Sequence, residues 1–161
     1  MTEHPNAAWV IVVTVFVALV LTIVPLPQSL EGFRPAWVAL TVIYWSMALP
    51  QRVSVGVSWT LGLLLDVMMG TLLGQHALAM TLLTLVTQKF HLQIRVFPWH
   101  QQMFIVGLLL GVYEFALFWV DGISGEGKPK QLYVTALIAG ALLWPWTLAL
   151  LRVLRRQYHV T

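Results

Sequence analysis

Two carboxylic acids, Asp66 and Glu114, lie inside long apolar stretches of the chain, where an ionised side chain is costly. Acids in this position can relay ions or protons, line a pocket for a polar ligand, or bind a transmembrane helix of another protein. They can also simply hold helices together, and Arg34 is the most plausible ion-pair partner for Asp66. A relay usually needs a longer series of titratable groups, and His76 is the only extra candidate nearby.

Metal binding and covalent catalysis have little support in the residue pattern. Asp66, His76 and Glu114 lack the tight spacing that metal motifs show. No apolar stretch combines Ser or Cys with His as an intramembrane hydrolase would require, and the chain contains no cysteine. We therefore expect no enzyme activity, no cofactor and no resident metal.

Small residues recur every four positions around the first acid. In a helix, this spacing forms a ridge on which a neighbouring backbone can approach closely. A shorter ridge precedes Glu114, with Gly107 and Gly111. Both acids are thus predicted to face protein. The members of the longer ridge, the glycine ridge, are Ser54, Ser58, Gly62, Asp66, Gly70 and Gly74.

The elements that position these acids are predicted to be membrane-spanning helices. Hydrophobic residues make up 59% of the chain and charged residues 9%, and a water-soluble fold of this size could not bury so much apolar surface. A spanning helix needs about 20 mostly apolar residues. We predict an all-α integral membrane protein with about six transmembrane helices in one compact bundle. The spans are expected at about 7–24, 35–49, 53–70, 73–90, 103–120 and 132–151.

The segments between and within these spans also carry expectations. Residues 91–102 mix polar, aromatic and basic side chains and suit an interfacial loop, whereas residues 121–130 form a second polar loop. Trp144-Pro145-Trp146 is expected to interrupt the sixth span, because an internal proline removes a backbone donor and kinks a helix. A structural role for this break is favoured over a role in framing a cavity.

Basic residues predict the orientation, because Lys and Arg accumulate on the cytoplasmic side of a membrane. With both termini cytoplasmic, that side holds six basic residues and the opposite side three. The net charge of +3 is too small and scattered for nucleic-acid binding. We expect an inner-membrane protein with both termini in the cytoplasm. The six are Arg52, Lys89, Arg95, Arg152, Arg155 and Arg156, and the three are Arg34, Lys128 and Lys130.

Five short motifs stand out along the chain: Arg34-Pro35-x-Trp37, Tyr44-Trp45, Ala48-Leu49-Pro50, Gly62-Leu63-x-x-Asp66-x-x-x-Gly70-x-x-x-Gly74 and Leu143-Trp144-Pro145-Trp146. Taken as a set, they resemble the rod-shape-determining MreD family of bacteria. The resemblance covers most of the chain and is closest to the proteobacterial branch. It implies a fold like that of the substrate-binding membrane components of vitamin transporters.

The resemblance also implies a function. The implied function is that of a non-enzymatic scaffold in the inner-membrane complex that elongates the peptidoglycan wall. The implied partners are MreC, MreB filaments, the glycosyltransferase RodA and its penicillin-binding transpeptidase. The residues themselves keep a second class open, in which Asp66, Glu114 and the Pro145 break line a pocket for a lipid-linked or small polar molecule.

Overall fold

The described part of the chain is built from helices and short turns. A computed structural model describes residues 8–160. Within these residues there is no β-strand, so the predicted all-α fold is confirmed. A short 3-10 turn, Glu31–Phe33, precedes the second helix. The helices are α1 (Ala8–Ile23), α2 (Trp37–Ala48), α3 (Val55–Met69), α4 (Gln75–Val96), α5 (Trp99–Ser124) and α6 (Lys130–Gln157).

Each helix lies on one of the six apolar segments, but three of them extend further than the sequence indicates. The prediction of an interfacial loop at 91–102 is wrong, because only Phe97 and Pro98 separate α4 from α5. The side-chain amide of Gln102 donates to the carbonyl of Ile94 at 2.9 Å and so satisfies the end of α4. The predicted loop at 121–130 is also shorter, since α5 continues to Ser124.

Helix α2 forms the centre of the bundle. All of its residues from Val38 to Ala48 are buried, although the helix has only 12 residues. It packs against α1, α4, α5 and α6. The indole of Trp45 donates to Thr14 on α1 at 3.0 Å. A helix that is apolar on every face is buried on every face, as the sequence of α2 requires.

The outer surface of the bundle is strongly apolar. Phe16, Phe104 and Trp146 lie on three different helices and are 64%, 70% and 71% exposed. Helices α5 and α6 are long and apolar enough to cross a membrane, whereas α1 and α3 are apolar but shorter. So much exposed apolar surface is a liability in water and is expected in contact with lipid.

Pro145 does not interrupt α6, contrary to the expectation from the sequence. The helix runs without a break from Lys130 to Gln157 with Pro145 inside it. The two flanking tryptophans point in opposite directions, since Trp144 is fully buried and Trp146 is largely exposed. The motif therefore anchors α6 in the bundle core with one ring and places the other ring on the outer surface.

Candidate functional site

Asp66 is the centre of a hydrogen-bonded turn between α3 and α4. Its carboxylate is buried and accepts hydrogen bonds from the backbone N–H groups of Gly74 at 2.8 Å and His76 at 2.9 Å. It also accepts from the hydroxyl of Thr71 at 2.9 Å, and His76 Nδ1 lies 2.8 Å away. One acid therefore satisfies two backbone donors at the start of α4 and ties the end of α3 to it.

The predicted ion pair between Asp66 and Arg34 is wrong. The guanidinium of Arg34 instead donates to the carbonyl oxygens of Thr22 at 2.6 Å and Val24 at 2.8 Å. These carbonyls belong to the end of α1, where helices leave backbone acceptors unsatisfied. Arg34 thus caps α1, and the partner of Asp66 is His76, only ten positions further along the chain.

The glycine ridge is split between two different roles. A Cβ atom on Gly62 would lie 2.3 Å from Cα of Ala77, so the backbones of α3 and α4 touch there. The interpretation of Gly70 and Gly74 as ridge residues is wrong. Both lie outside α3 in turns with positive φ, at +67° and +99°, where an added Cβ would meet nothing within 4 Å. They are glycines because of backbone conformation, not packing.

A polar cavity of about 440 Å³ lies beside this turn, among side chains from all six helices and the segment that contains the 3-10 turn. Its wall includes His76 and Glu114, which the sequence marked, and Pro35, two residues before α2. Asp66 does not line the cavity but lies behind His76. The structure therefore brings Glu114 and His76 to one cavity and connects Asp66 to it through the imidazole. Arg34 and Lys128 add positive charge to the same wall.

Asp121 is part of this site, although the sequence analysis assigned it to a loop. It is buried near the end of α5 and accepts a hydrogen bond from the amide of Gln75 at 2.5 Å. The hydroxyl of Tyr133 on α6 donates to its other oxygen. Asp121 therefore joins α4, α5 and α6 at one end of the bundle. The helical spacing of seven residues from Glu114 is the signal that could have identified it.

Glu114 differs from the other buried acids. It is 9% exposed and accepts no hydrogen bond from residues 8–160. Lys128 and Asp121 line the same cavity as Glu114. Across the described helices no group of three or more His, Asp or Glu side chains is arranged to hold a metal ion, so Asp66, His76 and Glu114 do not form a metal site. The cavity can offer a ligand one carboxylate that is free of protein partners.

These features define a class of protein: a helical membrane protein whose buried polar groups mainly fix the geometry of its helices. The family model described as rod shape-determining protein MreD matches residues 4–154. The rod shape-determining protein MreD of Haemophilus influenzae is 34% identical over 151 residues, which cover 92% of this chain and 93% of the relative. The chain belongs to the MreD family of rod shape-determining proteins.

The family confirms the resemblance that the sequence motifs indicated. Its name describes shape determination and indicates no enzymatic activity. No solved structure matches the chain.

Proposed function

We propose that this protein is a non-enzymatic scaffold of the inner membrane that organises the wall-elongation machinery of a rod-shaped bacterium. The observation that supports the proposal most strongly is the family match, which extends over residues 4–154. A match over nearly the whole chain means that the helical bundle itself carries the family's function. Its partners are MreC, MreB, RodA and the penicillin-binding transpeptidase of RodA.

The geometry favours a scaffold because the polar side chains are used to fix helices in place. Asp66 locks the turn between α3 and α4, Arg34 caps α1, and Asp121 ties together α4, α5 and α6. Buried polar groups that are fully hydrogen-bonded specify one arrangement of helices. A rigid bundle with a constant outer surface is what a partner's transmembrane helix needs for specific binding.

In this proposal all six helices cross the membrane, with both termini in the cytoplasm. The other four helices, which are shorter or more polar than α5 and α6, cross the membrane as parts of the bundle. Helix α2 needs no contact with lipid, because its neighbours bury it. The turn at Gly74 and the end of α5 at Gly125 then face the periplasm, together with the polar cavity.

Co-purification with MreC tests the scaffold proposal. The tagged chain is extracted from membranes of its own host in mild detergent, beside an unrelated multi-span protein with the same tag. We expect MreC to elute with the tagged chain and not with the control. Elution of a folded, monodisperse bundle without MreC would contradict the proposal.

A second candidate function, capture of a small polar or lipid-linked molecule, is favoured by one observation. Glu114 faces a cavity of about 440 Å³ and has no hydrogen-bond partner among the described residues. The purified protein should then release a bound small molecule on denaturation, detectable by mass spectrometry, and Glu114→Gln should release less of it. A ligand-free wild-type protein that still restores rod shape would exclude this function.

A further inference from the structure

A second recess, at the opposite end of α6 from the polar cavity, is lined by basic side chains from two helices. Arg95 lies in the last turn of α4, and Arg152, Arg155 and Arg156 lie near the end of α6. His159 follows them, and the recess has a volume of about 590 Å³. We refer to this feature as the basic recess.

Among the described residues, the positive charge of the basic recess has no acidic partner. None of the side chains that line it is acidic. Within residues 8–160 no ion pair joins any of the four arginines to a carboxylate. Guanidinium groups that share a recess repel one another, and an anion between them converts this repulsion into attraction. Arginine also presents its N–H donors in a planar fork that matches a phosphate group.

The inner part of the basic recess is not equally polar. Met47, Ala48 and Leu148 form an apolar wall behind the arginines. On the outer surface of α6, Leu150 and Val153 are 62% and 59% exposed next to the charged turn. A ligand that fits these surroundings has an anionic head and an apolar body, and free phosphate has no apolar body.

Gln102 adds a hydrogen-bonding group to the floor of the basic recess. Its amide nitrogen is used by the carbonyl of Ile94, but its oxygen Oε1 is buried and has no donor among the described residues. Tyr44 also lines the recess. An acceptor without a donor favours a head group that carries hydroxyls as well as a phosphate.

We propose that the basic recess is a binding site for the head group of an anionic phospholipid, with phosphatidylglycerol as the best fit. Basic pockets between transmembrane helices bind acidic lipid head groups in this way. The phosphate contacts the arginines, a glycerol hydroxyl donates towards Gln102, and the acyl chains lie along the exposed apolar side chains of α6. The bound lipid would hold the ends of α4 and α6 together.

The test is lipid retention by the purified full-length chain, measured by native mass spectrometry. The protein is offered dioleoyl phosphatidylglycerol and dioleoyl phosphatidylcholine at equal concentration. We expect retention of phosphatidylglycerol alone, and about tenfold weaker binding in Arg152→Gln and in Arg156→Gln, as expected when one charge-assisted hydrogen bond is lost. Both arginines are largely exposed, and thermal melting in detergent verifies that each variant folds as the wild type does.

The control variant is Lys89→Gln, which removes one positive charge from exposed surface outside the basic recess. It should change phosphatidylglycerol binding by less than about twofold. An equal loss in Lys89→Gln would show diffuse attraction to the surface charge and overturn the site. Equal retention of phosphatidylcholine would overturn its anion selectivity. Displacement of the lipid by about 10 mM inorganic phosphate would show a phosphate site without lipid specificity and would overturn the proposal as stated.

Discussion

Replacement of Asp66 by leucine should destabilise the bundle strongly, because the carboxylate accepts hydrogen bonds from three different residues. Thr71, Gly74 and His76 would lose their acceptor while remaining in or near the protein interior. Each buried donor left unpaired costs about 1–3 kcal/mol. Partial relaxation of the turn reduces the sum, so we expect Asp66→Leu to lower the free energy of unfolding by about 3–5 kcal/mol.

Asp66→Asn is the matched control. Asparagine has the same shape and keeps one acceptor oxygen, but its NH₂ group meets a backbone or side-chain donor in place of the second oxygen. We expect a smaller loss, of about 1–3 kcal/mol. For a chain of this length each kcal/mol corresponds to about 2–4 °C in the melting temperature, so Asp66→Leu should melt about 6–20 °C below the wild type.

The assay is thermal or denaturant unfolding in detergent micelles, followed by tryptophan fluorescence. If Asp66→Leu melts within about 2 °C of the wild type, the network at the α3–α4 turn does not stabilise the protein and the reasoning is refuted. A double-mutant cycle adds a second check. Arg34→Leu and Asp66→Leu should be additive within about 0.5 kcal/mol, because the two side chains have separate partners.

Three further predictions concern the glycines and the topology. Gly62→Ala should lower the free energy of unfolding by about 1–3 kcal/mol or more, because the added Cβ meets the backbone of α4. The control Gly56→Ala, on the open side of α3, should leave it unchanged or raise it by up to about 1 kcal/mol when both variants are melted in detergent. Gly70→Leu should insert into the membrane normally and lower the free energy of unfolding by about 1–2 kcal/mol, because of the positive φ alone. Gly70→Ala should therefore lower it by the same amount, and a much larger loss for leucine in detergent melting would show that Gly70 has a packing role. Reporter fusions at Gly125 and at Thr161 should report opposite compartments, and a periplasmic Thr161 would overturn the orientation.

The sequence predicts the helices well because apolar runs, and the proline and glycine residues that end them, are local signals. The all-α fold and the positions of the helices follow from hydropathy and from residues such as Pro98 and Gly125 that end or separate them. The lengths of α4 and α5 do not follow from it. Polar residues in 91–102 suggest a loop, yet most of them lie in α4 and α5, where the side chain of Gln102 satisfies a backbone carbonyl at the end of α4.

Side-chain partnerships are less predictable than helices. The four-residue spacing marks Gly62 and Asp66 correctly as one face of α3, but it continues by coincidence into turn glycines such as Gly70, which spacing alone cannot distinguish. Charge complementarity suggests Arg34 as the partner of Asp66. The structure uses His76 instead, because the turn brings it back over the end of α3, a local geometry that no periodic pattern records.

Depletion of this protein from its own host tests whether it determines cell shape. The gene is placed under a repressible promoter, and cell width and length are measured by microscopy as the protein is diluted by growth. The family membership and the proposed scaffold predict that rods widen and become round, and that re-expression of the wild-type chain restores them. Rods of unchanged width after the protein has disappeared from the membrane fraction would contradict the proposed function.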